Sequence, residues 1–158
     1  MSTVSPTRGV SSGVGAVLGT ATNDNAATGY VGELVSAAVA AGSAVSLTTA
    51  DTANITSISL TAGDWDVTGI VQYTPGATTS ITQLTQGSSS TSATLGAQGT
   101  FTKFVTAANI LTAVDPSWAL PPQRFSLSAT TTIFLVANAV FSVSTLTGYG
   151  VIRARRVR

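Results

Sequence analysis

Apolar and polar residues alternate in short stretches along most of this chain, and turn residues separate the stretches. The clearest case is Trp65 to Tyr73. Trp65, Val67, Gly69, Val71 and Tyr73 fall on one face, and Asp64, Asp66, Thr68, Ile70 and Gln72 on the other. A period of two with one large-apolar face predicts a half-buried antiparallel strand. Pro75-Gly76 closes it. Ile133 to Phe141 is apolar on both faces, which predicts a central strand covered on both sides. Leu34 to Val45 is Ala-rich, and the alternation Val45-Ser-Leu47 favours strand over helix there. Ile55 to Leu60, Thr78 to Leu84, Phe101 to Val105, Arg124 to Leu127 and Tyr149 to Arg158 complete a set of roughly eight strands, counted by periodicity and turn signals.

Between these stretches lie segments of turn chemistry. Gln86 to Gly99 is a low-complexity Ser/Thr/Gly segment and is expected to be a loop. Residues 112 to 123 form a second expected loop, where Asp115-Pro116 and Pro121-Pro122 bracket Trp118. Residues 1 to 29 are rich in Ser, Thr, Gly and Asn, sustain no period, and read as an extended arm or docking segment. The expected organisation is therefore an arm over 1–29 and one domain over 30–158. The fold class is all-β, an antiparallel jelly-roll β-sandwich.

Composition sharpens this picture. Thirteen of 158 residues are charged, seven Lys/Arg and six Asp/Glu, and there is no histidine or cysteine. An ordinary soluble domain carries about a quarter charged residues. Forty-six Ser and Thr residues must cover much of the surface instead. Charge depletion also suits surfaces consumed by subunit contacts. Without His or Cys there is no Ser-His-Asp triad, thiol nucleophile, disulfide or His/Cys metal cage, and no cofactor or metal is expected. No stretch approaches the roughly 18–20 apolar residues of a membrane-spanning helix, and no signal peptide is evident. A membrane partner is not expected.

The candidate chemistry is sparse. Asp64 and Asp66 are the only close carboxylate pair; on a strand they would stand about 6.5–7 Å apart on one face, a separation that invites a glycosidase reading. The plainer account places Asp64 in a Gly-Asp turn and Asp66 at a strand mouth. Asn23-Asp24-Asn25 has oxygens suited to calcium, but an Asx-turn explains it more simply. Gly13 to Gly19 lacks the GxGxxG spacing of a dinucleotide loop. Asn54-Ile55-Thr56 matches a glycosylation sequon. Trp118, in its Pro-flanked loop, is the best aromatic candidate for a partner contact.

The charge is unevenly placed. Arg153, Arg155, Arg156 and Arg158 crowd the last six residues. They continue a strand-like pattern rather than a free basic arm, and no aromatic-basic groove accompanies them, which argues against nucleic acid. Ion pairs to a neighbouring subunit or blunting of a sheet edge are the expected roles.

Three stretches resemble a family of small bacteriophage virion proteins. They are Thr22 to Ala27 with Gly32-Glu33, Gly42 to Asp66 with its Thr56-Ser-Ile-Ser-Leu-Thr-Ala-Gly-Asp-Trp-Asp66 core, and Gly148 to Arg158. Thr61 to Gly69 also resembles the strand entry of trimeric jelly rolls of the tumour-necrosis-factor and complement globular-head type, and Gly148-Tyr149-Gly150 resembles the step before their last strand. The resemblance implies a homotrimeric, non-enzymatic component of the virion surface, assembled in the host cytoplasm. Its expected task is capsid decoration or cementing, with the major capsid protein or another virion protein as partner. A head-fibre or tail-fibre tip that binds a host glycan or receptor, a lectin-like module, and a carbohydrate-active enzyme using Asp64 and Asp66 are the alternatives.

Overall fold

A computed structural model describes residues 22–106 and 114–158. Most of the expected arm, and the first residues of the expected 112–123 loop, lie outside the described residues. Ten strands are present: β1 (Leu34–Val39), β2 (Val45–Ser46), β3 (Thr52–Leu60), β4 (Gly63–Pro75), β5 (Ser80–Ser89), β6 (Phe101–Val105), β7 (Ser117–Ala119), β8 (Gln123–Leu127), β9 (Thr131–Ser142) and β10 (Leu146–Arg156). The only helical element among the described residues is one 3₁₀ turn, Ala41–Ser43. It interrupts the expected strand Leu34 to Val45 and divides it into β1 and β2.

The strands form two antiparallel sheets. The first runs β1-β10-β4-β7, with β8 also on β4 and β2 on β10. The second runs β3-β9-β5-β6. If β7 and β8 are counted as one strand and β2 is set aside, eight strands remain. In chain order their positions are 1-8-3-6 over 2-7-4-5, the double Greek key of a jelly roll. The all-β sandwich read from the pattern is thus the observed architecture.

The core lies between the sheets. Trp65, Val67, Val71 and Tyr73 of β4 are fully buried, as their alternation requires. They meet Ile133, Leu135, Ala137 and Ala139 of β9 and Ile152 and Ala154 of β10. Trp65 donates its indole N–H to the Thr61 carbonyl at 2.9 Å, and Tyr73 its hydroxyl to the Thr85 carbonyl at 3.1 Å. Both polar tips are therefore satisfied inside an apolar layer. Gly150 lets β10 lie close on β4: a Cβ there would stand 2.0 Å from the Ile70 carbonyl oxygen.

Three expectations are corrected. Gln86 to Ser89 are not loop but the end of β5, paired to β9 and β6 and buried. Hydrogen bonding replaces apolar side chains there: Ser88 donates to Gln123 Oε1 at 2.7 Å, and the Gln86 amide donates to the Trp118 carbonyl. Trp118 lies on the short strand β7, opposite Val71, rather than in a loop. The arginine-rich β10 is no edge, since β1 pairs on one side and β4 on the other.

The two outer faces of the sandwich differ. On the β3-β9-β5-β6 sheet, Val136 is fully buried although it points away from the core cluster, and Thr85 and Asn138 beside it are also buried. The chain itself covers the middle of this face, while Val105 stays exposed on its edge strand β6. Asn54, the register partner of Val136, donates to Ser92 Oγ at 2.7 Å and accepts the Ala93 N–H at 2.7 Å, which pins the loop after β5. Asn138 donates to the Ala50 carbonyl at 2.8 Å from the other side. On the β1-β10-β4 sheet the outward residues stay open to solvent.

Candidate functional site

That open face is the candidate site, and strand register fixes its layout. One row runs Arg124 (β8), Asp66 (β4), Arg155 (β10), Leu34 (β1). The next holds Thr68, Arg153 and Ser36. The third holds Ala119, Ile70, Val151 and Ala38, and the fourth Ser117, Gln72 and Tyr149. Residues directly opposite on neighbouring strands project from the same side, so these rows form one surface. Leu34 and Ile70 are each 43% exposed. Charge thus occupies one end of the face, and apolar or small residues the other.

A groove of about 250 Å³ opens in the charged end, lined by Leu34, Asp66, Val67, Thr68, Pro122, Arg153 and Arg155. Within the described residues none of Asp66, Arg153 and Arg155 closes a hydrogen bond or ion pair. These are the sequence-predicted candidates that the structure does bring together. Arg156 and Arg158 it places elsewhere.

Arg156 faces inward and is buried. Its Nε donates to Glu33 Oε2 at 2.9 Å, its Nη1 to the Ala62 carbonyl at 2.8 Å, and its Nη2 to Thr61 Oγ1. Its guanidinium lies 4.2 Å from the Trp65 ring centroid. Such a stack adds to the ion pair where water is excluded. Gly63 makes room for it, because a Cβ there would stand 1.9 Å from Nη1. Glu33 also accepts the Gly29 N–H at 2.8 Å, while Gly32 donates its N–H to the Arg156 carbonyl at 2.9 Å. The segment entering β1 is thereby fastened to the end of β10.

Asp64 anchors a second cluster. Arg124 grips it with two bonds, Nε to Oδ1 at 3.1 Å and Nη2 to Oδ2 at 2.7 Å, and Arg158 donates to Oδ2. Asp64 is buried while Asp66 is exposed, so the two do not form a matched pair on one open face. Asp64 lies on β4, not in a turn.

These contacts set the titration of the acids. Hydrogen bonding from Arg124 is the main influence on Asp64; it outweighs burial and, with Ser126 and Arg158, holds the carboxyl at about 2. For Glu33, burial alone would raise the pKa, but the Gly29 N–H and Arg156 together hold it below the ordinary value. Both acids are depressed, so both contribute stability above their unfolded values, near 4.5 for Glu and 3.8 for Asp, and lose it as pH falls. Denaturant midpoints should therefore be level from neutral pH down to about 5 and decline progressively between about 4.5 and 2. A midpoint that does not change down to pH 3 would contradict this assignment.

Trp118 is half-buried. Its ring stacks on Phe104 with centroids 5.2 Å apart and planes at 19°, joining the two sheets where β6 and β7 approach. Close by, Gln86 Oε1 is buried without a hydrogen-bond partner. The sequon residue Asn54 is engaged on both side-chain atoms by Ser92 and Ala93. Among the described residues no three His, Cys, Asp or Glu side chains gather as a metal site, and no helix is long and apolar enough to cross a membrane.

Two participants were missed from the sequence. Glu33 stands alone there, and its partner is 123 positions away. Ile70 was placed on the polar face of its strand, where a large apolar residue is out of pattern. That mismatch is the one local sign of a face that is not simply solvated. No protein-family model, curated protein or solved structure matches this chain.

Proposed function

We propose that this chain is a structural protein of a bacteriophage virion, a homotrimer on the particle surface that decorates or cements the capsid. The observation that carries this reading is the unequal treatment of the two sheets. On one outer face the chain's own loop, pinned through Asn54, covers the middle of the sheet. The other keeps Leu34 and Ile70 exposed in a surface almost free of charge over its lower half. Burying such a face between copies removes apolar area from water, at about 25 cal/mol per Å², and the two outer strands contribute to a shared core. A hydroxyl-coated, charge-poor chain suits a component whose contacts are mostly with other protein. The stretches that resemble small virion proteins point the same way, and the major capsid protein is the proposed partner beneath the trimer. Residues 1–29 are the proposed docking segment.

The fibre-tip alternative relies on the segments 86–99 and 112–123, with Trp118, for a host glycan or receptor; the Trp118 ring is engaged with Phe104, and Gln86 to Ser89 belong to a paired strand. The enzymatic alternative relies on Asp64, which two arginines hold as a carboxylate. The decoration reading is tested by mixing the purified full-length protein with undecorated capsids and, separately, with host cells. Saturable binding to capsids is expected. Binding to cells with none to capsids would replace decoration with receptor recognition.

A further inference from the structure

We infer that Asp66 of one copy receives Arg153 of a second copy, so that this pair sets the register in which the open faces meet. The inference rests on the self-association proposed above. It starts from three charged side chains that the fold leaves unpaired around one groove: Asp66, Arg153 and Arg155. Asp66 is flanked in register by Arg124 and Arg155, but Arg124 is committed to Asp64. Arg153 has Thr68 and Ser36 directly opposite it and makes no ion pair with Asp66, its diagonal neighbour. Once the face is covered, an unpaired arginine there becomes a desolvated charge, and that is costly unless a carboxylate meets it. Asp66 is the only exposed carboxylate in these four rows. A carboxylate has about four acceptor positions, enough for Arg155 of its own copy and Arg153 of a neighbour.

The groove itself argues for a second copy over other occupants. Its volume of about 250 Å³ falls below the roughly 300–1,000 Å³ of small-molecule pockets, and it suits an inserted side chain instead. A nucleic acid or anionic surface requires one sign of charge, and Asp66 opposes it. A patch that holds both signs can give Asp66 to one neighbour and Arg153 to the other, so a threefold ring repeats the same contact at every interface. The apolar walls from Leu34, Val67 and Pro122 would shield the pair from water and salt.

The test is a charge exchange read by sedimentation equilibrium of the full-length protein. Asp66→Arg and Arg153→Asp should each weaken self-association by about tenfold or more in dissociation constant. The double variant Asp66→Arg/Arg153→Asp should recover most of the loss. Arg153 stands opposite Thr68 and Ser36, so thermal unfolding of the dissociated Arg153→Asp variant should match the wild-type monomer, and circular dichroism of every variant excludes misfolding as the cause. Singles that associate like wild type, or a double variant no better than the singles, would overturn the pairing while leaving self-association intact. A wild-type protein that stays monomeric would overturn both.

Discussion

Glu33→Ala should lower the free energy of unfolding by about 3–5 kcal/mol, the range for stripping a buried ion of its partner. Arg156 would remain charged, buried and enclosed by Trp65, Thr61 and the Ala62 carbonyl. The substitution also frees the Gly29 N–H. For a chain of this length the unfolding midpoint should fall by roughly 10 °C or more. Removing both charges is expected to be milder than removing one. A Glu33→Leu/Arg156→Met double variant keeps side-chain volume and leaves no unpaired ion, so its loss should be smaller than that of Glu33→Ala. Urea titration of the three proteins measures this directly. A Glu33→Ala protein as stable as wild type would mean that the fastening of the β1 entry to β10 contributes nothing.

Ile70→Arg should abolish self-association without unfolding the protein. Ile70 is 43% exposed and touches the core only through its backbone strand, so an arginine there is tolerated in the separate copy. In the assembly it would place an additional cation in the apolar row of Ala119, Ile70, Val151 and Ala38, which holds no acid of its own. A desolvated, unpaired charge costs several kcal/mol per copy, and each 1.4 kcal/mol is tenfold in affinity. Association should therefore vanish at micromolar concentration while the circular dichroism spectrum and the monomer's urea midpoint hold. If Ile70→Arg assembles like wild type, the contact face lies elsewhere on the molecule.

The parts of this fold that could be read in the sequence are those set by local alternation. β4 is half-buried along most of its length, so Trp65, Val67, Val71 and Tyr73 declare the core face by themselves. β9 is covered on both sides, and its apolar run from Ile133 to Phe141, broken only at Asn138, says so. The end of β5 could not be read, because Gln86, Gly87, Ser88 and Ser89 carry no apolar signal. Their burial depends on β9, β6 and the loop pinned by Asn54, all brought there by the sandwich. The place of Trp118 is hidden in the sequence because prolines on either side conceal a three-residue strand whose only strand partner is β4.

The site follows the same division. Arg153 and Arg155 were identified as contact candidates, and their exposure on one face with Asp66 matches a strand period. Arg156 differs from them by one step of that period, which turns it into the core end and onto Glu33. The ion clusters join residues 60, 94 and 123 positions apart, so nothing local in the sequence announces them. Asp64 and Asp66 looked like a pair because of their spacing. The folded chain separates them by giving Asp64 two arginines and leaving Asp66 in the open groove.

In the proposed assembly the open face of the β1-β10-β4 sheet is covered by other copies of this chain. The mass of the full-length protein in solution, measured by sedimentation equilibrium across a hundredfold concentration range, tests it most directly. A particle of three 15.8 kDa chains that dissociates reversibly on dilution is expected. A single 15.8 kDa species at every concentration would contradict it.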